Sequence, residues 1–244
     1  MVLVIDVGNS RIKAAVFENN TMLESFACVP NELKLCFSKF LTKFPKIKAL
    51  VHASVGNSIL EVIQELNLSI PLYGMSNLSE FPFQNSYATP ATLGIDRLLL
   101  ASGAVLQFPG QNRLVIDAGT CITYEYISAD DVYLGGAISP GIEMRYKALH
   151  AYTAKLPLLE KKFPEQPIGN STAESMHVGA VQGVLHEIEG TIATYEAQAG
   201  KFIIILTGGD AEFLAKRVKN TIFANSNFLL EALNQTYQYQ TQND

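Results

Sequence analysis

No run of lysines or arginines occurs in the 244 residues, and the formal net charge is -5. A sequence-independent binder of DNA or RNA needs a basic face to neutralise phosphates, so no nucleic-acid partner is expected. No apolar stretch approaches the roughly 20 residues of a membrane span. The apolar run after Met1 covers only Val2 to Ile5 before Asp6 interrupts it, too short for a secretory signal. No membrane association is expected. Cysteine is scarce: Cys28, Cys36 and Cys121 are odd in number and lack zinc-pair spacing. They read as reduced, buried thiols in a cytoplasmic protein. His52, His150, His177 and His186 are scattered, none at metal-ligand spacing from a carboxylate or cysteine, and read as structural or surface residues. A Walker A loop is also missing, since no glycine run ends in Gly-Lys-Ser/Thr.

What is present is a chain with 48% hydrophobic residues, enough to bury a real core. Its length suits two lobes of about 100–130 residues. Val2–Ile5 and Ile12–Phe17 read as strands joined by the polar turn Asp6-Val7-Gly8-Asn9-Ser10. Asn31 is a candidate N-cap for a helix whose inner face carries Leu33, Cys36, Phe37, Phe40, Leu41 and Phe44. A strand over 49–55, a helix marked by Ile59, Leu60, Ile63 and Leu66, and a strand over Ile70–Tyr73 follow. A proline-bounded polar loop, Pro82–Thr92, precedes a helix from about Leu93 to Phe108. Pro109-Gly110-Gln111-Asn112 marks a boundary, giving lobes 1–110 and 111–244. The second half opens as the first does: Leu114-Val115-Ile116 runs into Asp117-Ala118-Gly119-Thr120 and a second strand, Cys121–Ile127, with a third over Val132–Ile138. Ser171-Thr172-Ala173-Glu174 reads as a capping box. The long helix it opens contains Gly179, Gly183 and Gly190, which would allow close packing. Phe202–Leu206 reads as a core strand ending in Thr207-Gly208-Gly209, and a tail frayed from about residue 236 follows a helix over Asn225–Asn234. Interleaved strands and helices imply α/β layers, and the repeated hairpin implies two similar lobes.

Four pieces can carry chemistry, and each has a plainer reading. Asp6 to Lys13 can form an anion-binding nest, with Asp6 holding magnesium through water and Lys13 countering phosphate charge; it is equally a well-formed turn. Asp117 to Thr120 repeats that chemistry, and two such loops can present amides and hydroxyls to one polyphosphate. Asp117 has no basic residue within three positions in sequence, so burial of its carboxylate would favour a bound cation. Thr207-Gly208-Gly209 can bring a flat ligand against the backbone, or can be only a tight strand-to-helix turn. Gly94-Ile95-Asp96-Arg97 places a carboxylate early in a helix, where it stays ionised as a general base requires. The neighbouring arginine can fork onto an anion; the plain alternative is a solvated helix start.

These pieces, in this order, resemble the type III pantothenate kinases over about residues 2–215. Asp6-Val7-Gly8-Asn9-Ser10, Gly94-Ile95-Asp96-Arg97 and Asp117-Ala118-Gly119-Thr120 are similar to the family's motifs, and Gly135–Gly141, Ser171-Thr172 and Thr207-Gly208-Gly209 to further blocks. The resemblance implies two ribonuclease H-like lobes of the actin and sugar-kinase superfamily. It implies ATP-dependent phosphorylation of pantothenate, the first step of coenzyme A synthesis. Asp6, Val7, Gly8, Asn9, Ser10, Arg11, Ile12, Lys13 and Thr120 would bind ATP, with magnesium at Asp6. Asp96 would be the catalytic proton acceptor. Tyr87, Gly94, Ile95, Asp96, Arg97 and Thr172 would bind pantothenate, Thr172 from the second subunit of a homodimer. Asp117 would hold a monovalent cation, potassium or ammonium. Arg11, Ala91 and Cys121 depart from the family's usual residues. The alternatives are another small-molecule kinase of the same fold and a catalytically inactive regulator; retention of Asp6, Asp96 and Asp117 argues against the second.

Overall fold

The computed structural model describes residues 1–8, 11–54, 65, 69–220 and 222–243. They form two compact units: 1–110 with 131–134 and 227–244, and 111–130 with 135–226.

The first unit is built on a sheet of β1 (Val2–Val7), β2 (Ile12–Glu18), β3 (Thr21–Cys28), β4 (Ala49–Ser54) and β5 (Leu72–Met75), in the order β3-β2-β1-β4-β5. β1 pairs antiparallel with β2 and parallel with β4. Its Leu3, Val4 and Ile5 are wholly buried, as a central strand covered on both faces must be. One face packs Leu3, Ile5 and Leu50 against α1 (Leu33–Lys43), through Leu33, Phe37 and Phe40, a helical apolar stripe. Against the other face lie α2 (Ile95–Gln107) and α7 (Phe228–Asn243).

The second unit repeats the plan with β7 (Arg113–Ala118), β8 (Cys121–Ile127), β9 (Val132–Pro140), β10 (Ile203–Thr207) and β11 (Phe223–Ala224), ordered β9-β8-β7-β10-β11. β7 pairs antiparallel with β8 and parallel with β10, which pairs parallel with β11. Its helices are α3 (Ile142–Ala151), α4 (Thr172–His177), α5 (Gly183–Ala199) and α6 (Ala211–Ala215). The two sheets therefore share the order third-second-first-fourth-fifth, with the Asp-x-Gly hairpin as the first two strands of each, and the second sheet carries β6 (Gln84–Asn85) as a sixth strand beside β9. This is the expected α/β class of two ribonuclease H-like lobes. No helix among the described residues is long and apolar enough to cross a membrane.

Several local expectations are corrected. α1 is entered through a 3-10 turn, Pro30–Glu32, with no side-chain cap, so Asn31 is not its N-cap. The helix expected from Ile59, Leu60, Ile63 and Leu66 lies outside the described residues apart from Glu65. The long helix after Ser171 is divided by a π-helical turn, Val178–Gln182. Nothing lies within 4 Å of where a Cβ on Gly179 or Gly190 would stand, so neither glycine serves close packing inside the chain.

The largest correction is at the C-terminus. The end expected to fray is helical to Asn243 and belongs with the first unit. Thr236 is wholly buried, 2.7 Å from the Ser102 hydroxyl of α2. Tyr237 packs on Tyr73, and Gln240 donates to the Glu80 carbonyl. The polar residues that read as a solvated tail are spent on partners in the first unit. Residues 131–134 join that unit too: β6 (Gln84–Asn85) pairs with Val132 and Tyr133 at the start of β9.

Candidate active site

The first hairpin sets Asp6 opposite Lys13 and Val7 opposite Ile12, with the Gly8 amide donating to the Arg11 carbonyl at 3.2 Å. Cross-strand partners project to the same face, so the turn displays a carboxylate beside an ammonium. Asp6, Val7 and Lys13 are half-buried, and Gly8 and Arg11 are exposed. Ile12 is wholly buried in the apolar core, which leaves only its backbone for a ligand. Asn9 and Ser10 lie outside the described residues.

In the same unit, Gly94 takes an extended N-cap conformation (φ -61°, ψ 139°) at the start of α2. Asp96 is exposed on the first turn, and its Oδ1 accepts the Arg97 amide at 2.9 Å. A Cβ on residue 94 would stand 2.3 Å from that oxygen. The glycine is therefore what lets the carboxylate lie back over the helix start. Ile95 is buried in the core beneath it. Arg97 is only 6% exposed, with its guanidinium carbon 5.6 Å from the centre of the Tyr87 ring. Tyr133, fully buried, lies behind Tyr87 at 6.2 Å between ring centres, and Phe83 lies 5.9 Å from Tyr133. Sequence reasoning missed Tyr133. The one available signal was the aromatic spacing of Phe81, Phe83 and Tyr87, which gives no hint of a residue on β9.

In the second unit the hairpin tip is Gly119-Thr120, closed by the Gly119 amide donating to the Cys121 carbonyl at 2.9 Å. Asp117 is half-buried on β7. Two glycines hem in this hairpin. Gly208, at φ +95°, follows β10; a Cβ there would stand 2.3 Å from Asp117 Oδ1 and 2.4 Å from the Ala118 carbonyl oxygen. Gly141 precedes α3, and its amide donates to the Thr120 carbonyl at 3.0 Å. After the glycines, the Asp210 amide donates to the Ala118 carbonyl at 2.9 Å, and the Asp210 carboxylate is paired with Lys161.

Thr172 is exposed on the first turn of α4. Ser171 Oγ accepts the Glu174 amide at 3.2 Å, but Glu174 does not return the bond as a capping box would. Its Oε2 accepts the Glu165 amide at 3.1 Å instead, and its Oε1 pairs with Lys162. The loop before α4 is thereby tied to the helix start.

The carboxylates of the two hairpins are oxygen donors of the kind hard cations take. Among the described residues no group of three or more His, Cys, Asp or Glu could hold a metal. Magnesium takes few protein carboxylates and completes its shell with water and phosphate oxygens, which a single carboxylate beside a polar turn would allow. Asp117 Oδ1 and the Ala118 carbonyl oxygen both lie beside Gly208, and both are hard donors of the kind a hard cation takes.

Residues 2–194 match the family model described as type III pantothenate kinase. The chain is 58% identical over 244 residues, all of both chains, to a type III pantothenate kinase of Flavobacterium johnsoniae. It is 35% identical to one of Phocaeicola vulgatus, over 98% of each chain. Among solved structures it is similar to a Baf family protein from Campylobacter jejuni, at 20% identity and TM-score 0.65 over 98% of this chain and 99% of the other. It is also similar to component A of (R)-2-hydroxyglutaryl-CoA dehydratase from Acidaminococcus fermentans, at 12% identity and TM-score 0.52 over 99% and 98%. These two likenesses are of fold alone.

Proposed function

The chain belongs to the type III pantothenate kinase family, and from that premise we propose how its residues serve the reaction: ATP-dependent phosphorylation of pantothenate, the first step of coenzyme A biosynthesis. The observation that carries the reading is the pair of Asp-x-Gly hairpins, each opening one of two sheets of the same strand order.

Phosphoryl transfer passes through a loose transition state, so positioning and charge stabilisation outweigh nucleophile activation. Asp6 to Lys13 and Thr120 bind the phosphates of ATP, Lys13 countering their charge. Asp6 holds magnesium through water; when bound, the ion neutralises charge on the phosphate oxygens. Tyr87 and Gly94 to Arg97 bind pantothenate. Arg97, desolvated against the Tyr87 ring, suits a carboxylate, because its planar fork matches two oxygens at once. Asp96 orients the primary hydroxyl and takes its proton. The three free cysteines suit a reducing, cytoplasmic compartment.

Transfer of labelled γ-phosphate to a panel of alcohols tests the substrate. Pantothenate should be the preferred acceptor, and preference for a sugar would overturn the reading. Asp117 holds potassium or ammonium, so the same assay should run fast in those salts and slowly in sodium. Asp117→Asn should lose most of that difference; equal rates of the parent in all three salts count against the assignment.

The chain works as a homodimer, with Thr172 completing the partner's pantothenate site. Tyr152, Leu158 and Ile168 of the second unit are 89%, 56% and 82% exposed, apolar side chains that a partner subunit would cover. Light scattering at assay concentration should give twice the chain mass, and a monomer would refute the pairing.

A further inference from the structure

One carboxylate on α5 gathers donors from three other elements of the second unit. Glu187 Oε1 accepts from the Tyr124 hydroxyl of β8 at 2.9 Å and from the Ser139 hydroxyl of β9 at 2.5 Å. Its Oε2 accepts from the Arg145 guanidinium of α3. Burial pushes the Glu187 carboxyl up, but the bonds from Ser139, Arg145 and Tyr124 outweigh it and hold the pKa below the ordinary value. Burial first, then the Glu187 charge, push the Tyr124 hydroxyl far up, so it remains a donor.

This cluster leads to the nucleotide hairpin. Arg145 Nε donates to the Pro140 carbonyl at 2.9 Å, and the Arg145 amide to the Gly141 carbonyl at 3.0 Å. Gly141 in turn lies directly on the hairpin tip: a Cβ there would stand 2.1 Å from the Gly119 carbonyl oxygen and 2.6 Å from that of Thr120. Backbone packed this closely passes on any shift of the Ser139–Gly141 corner. The Glu187 and Arg145 side chains are 29% and 19% exposed, and a pair that is partly solvated adds little stability by itself. The convergence of three donors on one carboxylate beside that corner serves geometry more than stability.

We propose that Glu187, through Arg145 and Ser139, is a positioning residue for the Gly119–Thr120 tip and so for ATP. This rests on the reading of Thr120 as a nucleotide contact. Glutamine at 187 keeps the size but turns an amide donor or a neutral oxygen towards Arg145, and the corner loses its anchor.

The test is the Kd of the magnesium complex of the fluorescent analogue mant-ATP, measured with both KM values and thermal melts. Glu187→Gln should weaken mant-ATP and raise the ATP KM roughly tenfold, the low end for losing a hydrogen bond to a charged group. The pantothenate KM should hold. Arg145→Gln should behave alike, and the double variant should cost no more than the worse single, as members of one network do. An unchanged mant-ATP Kd in Glu187→Gln overturns the proposal. So does a rise of both KM values together with a fall in melting temperature, the mark of general loosening. If Glu187→Gln does not fold, Ser139→Ala decides: weaker mant-ATP binding at the parental melting temperature supports the proposal, and parental binding refutes it. Pantothenate turnover by the parent tests the kinase reading separately. A parent that binds mant-ATP without phosphorylating pantothenate would sink that reading and leave the Kd comparison standing.

Discussion

Asp96→Asn should lower kcat by about 10²–10⁴-fold, the usual contribution of a positioned acid–base group, while melting with the parent. Asparagine keeps the length of the side chain and an oxygen that can accept the Arg97 amide, the bond Asp96 makes at 2.9 Å. It also serves well near a helix N-terminus, so α2 should stay formed and Arg97 should stay under Tyr87. What asparagine cannot do is accept the proton of the pantothenate hydroxyl. The KM for pantothenate should therefore move far less than kcat, the pattern of an interaction made only in the transition state. A structural aspartate would give the opposite pattern, with little loss of rate and a small loss of stability. Steady-state kinetics and thermal melts on the same preparation separate the two. Turnover within a few-fold of the parent at an unchanged melting temperature would remove Asp96 from the chemistry.

What the sequence made legible was what local chemistry dictates. Asp6-Val7-Gly8 and Asp117-Ala118-Gly119 announce turns between apolar runs, and those runs became β1–β2 and β7–β8. Because the unit occurs twice, the likeness of the two sheets was readable without any long-range contact. The candidate site divides in the same way. Gly94 and Asp96 are two residues apart, and their mutual fit is a local matter of a missing Cβ. Tyr133 is hidden behind Tyr87 by the pairing of β6 with the start of β9, and no spacing in the sequence encodes that pairing.

The C-terminal helix was illegible for a compositional reason. Its Gln, Thr and Tyr residues look solvated, yet Thr236 and Tyr237 are satisfied by Ser102 and Tyr73, more than a hundred residues earlier in the chain. The glycines after Ser171 misled in the other direction. Small residues on a helix suggest a packed groove, but no described residue lies within 4 Å of the Cβ positions of Gly179 and Gly190. The Glu187 cluster gave no sequence signal at all, since a tyrosine, a serine, an arginine and a glutamate on four separate elements make no motif.

Gly208→Ala and Gly209→Ala, adjacent and chemically identical, should give opposite results. Gly208 is buried at φ +95°, and an added methyl would stand 2.3 Å from Asp117 Oδ1, 2.4 Å from the Ala118 carbonyl oxygen and 2.6 Å from its carbon. Two of those atoms are backbone of the second hairpin and cannot swing aside. A side chain held in such a conformation costs about 1–3 kcal/mol, and forcing extra volume into packed structure costs about as much again. A net loss of about 3 kcal/mol lowers the Tm by roughly 6–12 °C for a chain of this size. Because the displaced atoms belong to Asp117 and Ala118, the potassium response and the ATP KM should deteriorate with it. Gly209 is exposed, and nothing lies within 4 Å of its Cβ position. Alanine there should change stability by no more than about 0.5 kcal/mol, as surface substitutions do. Its effect should fall on ligand alone: if the glycine lets a flat base approach the backbone, the ATP KM rises at an unchanged Tm. Melting curves and ATP kinetics of the two variants thus assign separate duties, Gly208 to the packing of the second hairpin and Gly209 to the approach of the nucleotide. A Gly208→Ala protein that melts with the parent would mean the strand-to-helix turn can open without cost, and the close seating of Gly208 on Asp117 would no longer explain why a glycine stands there.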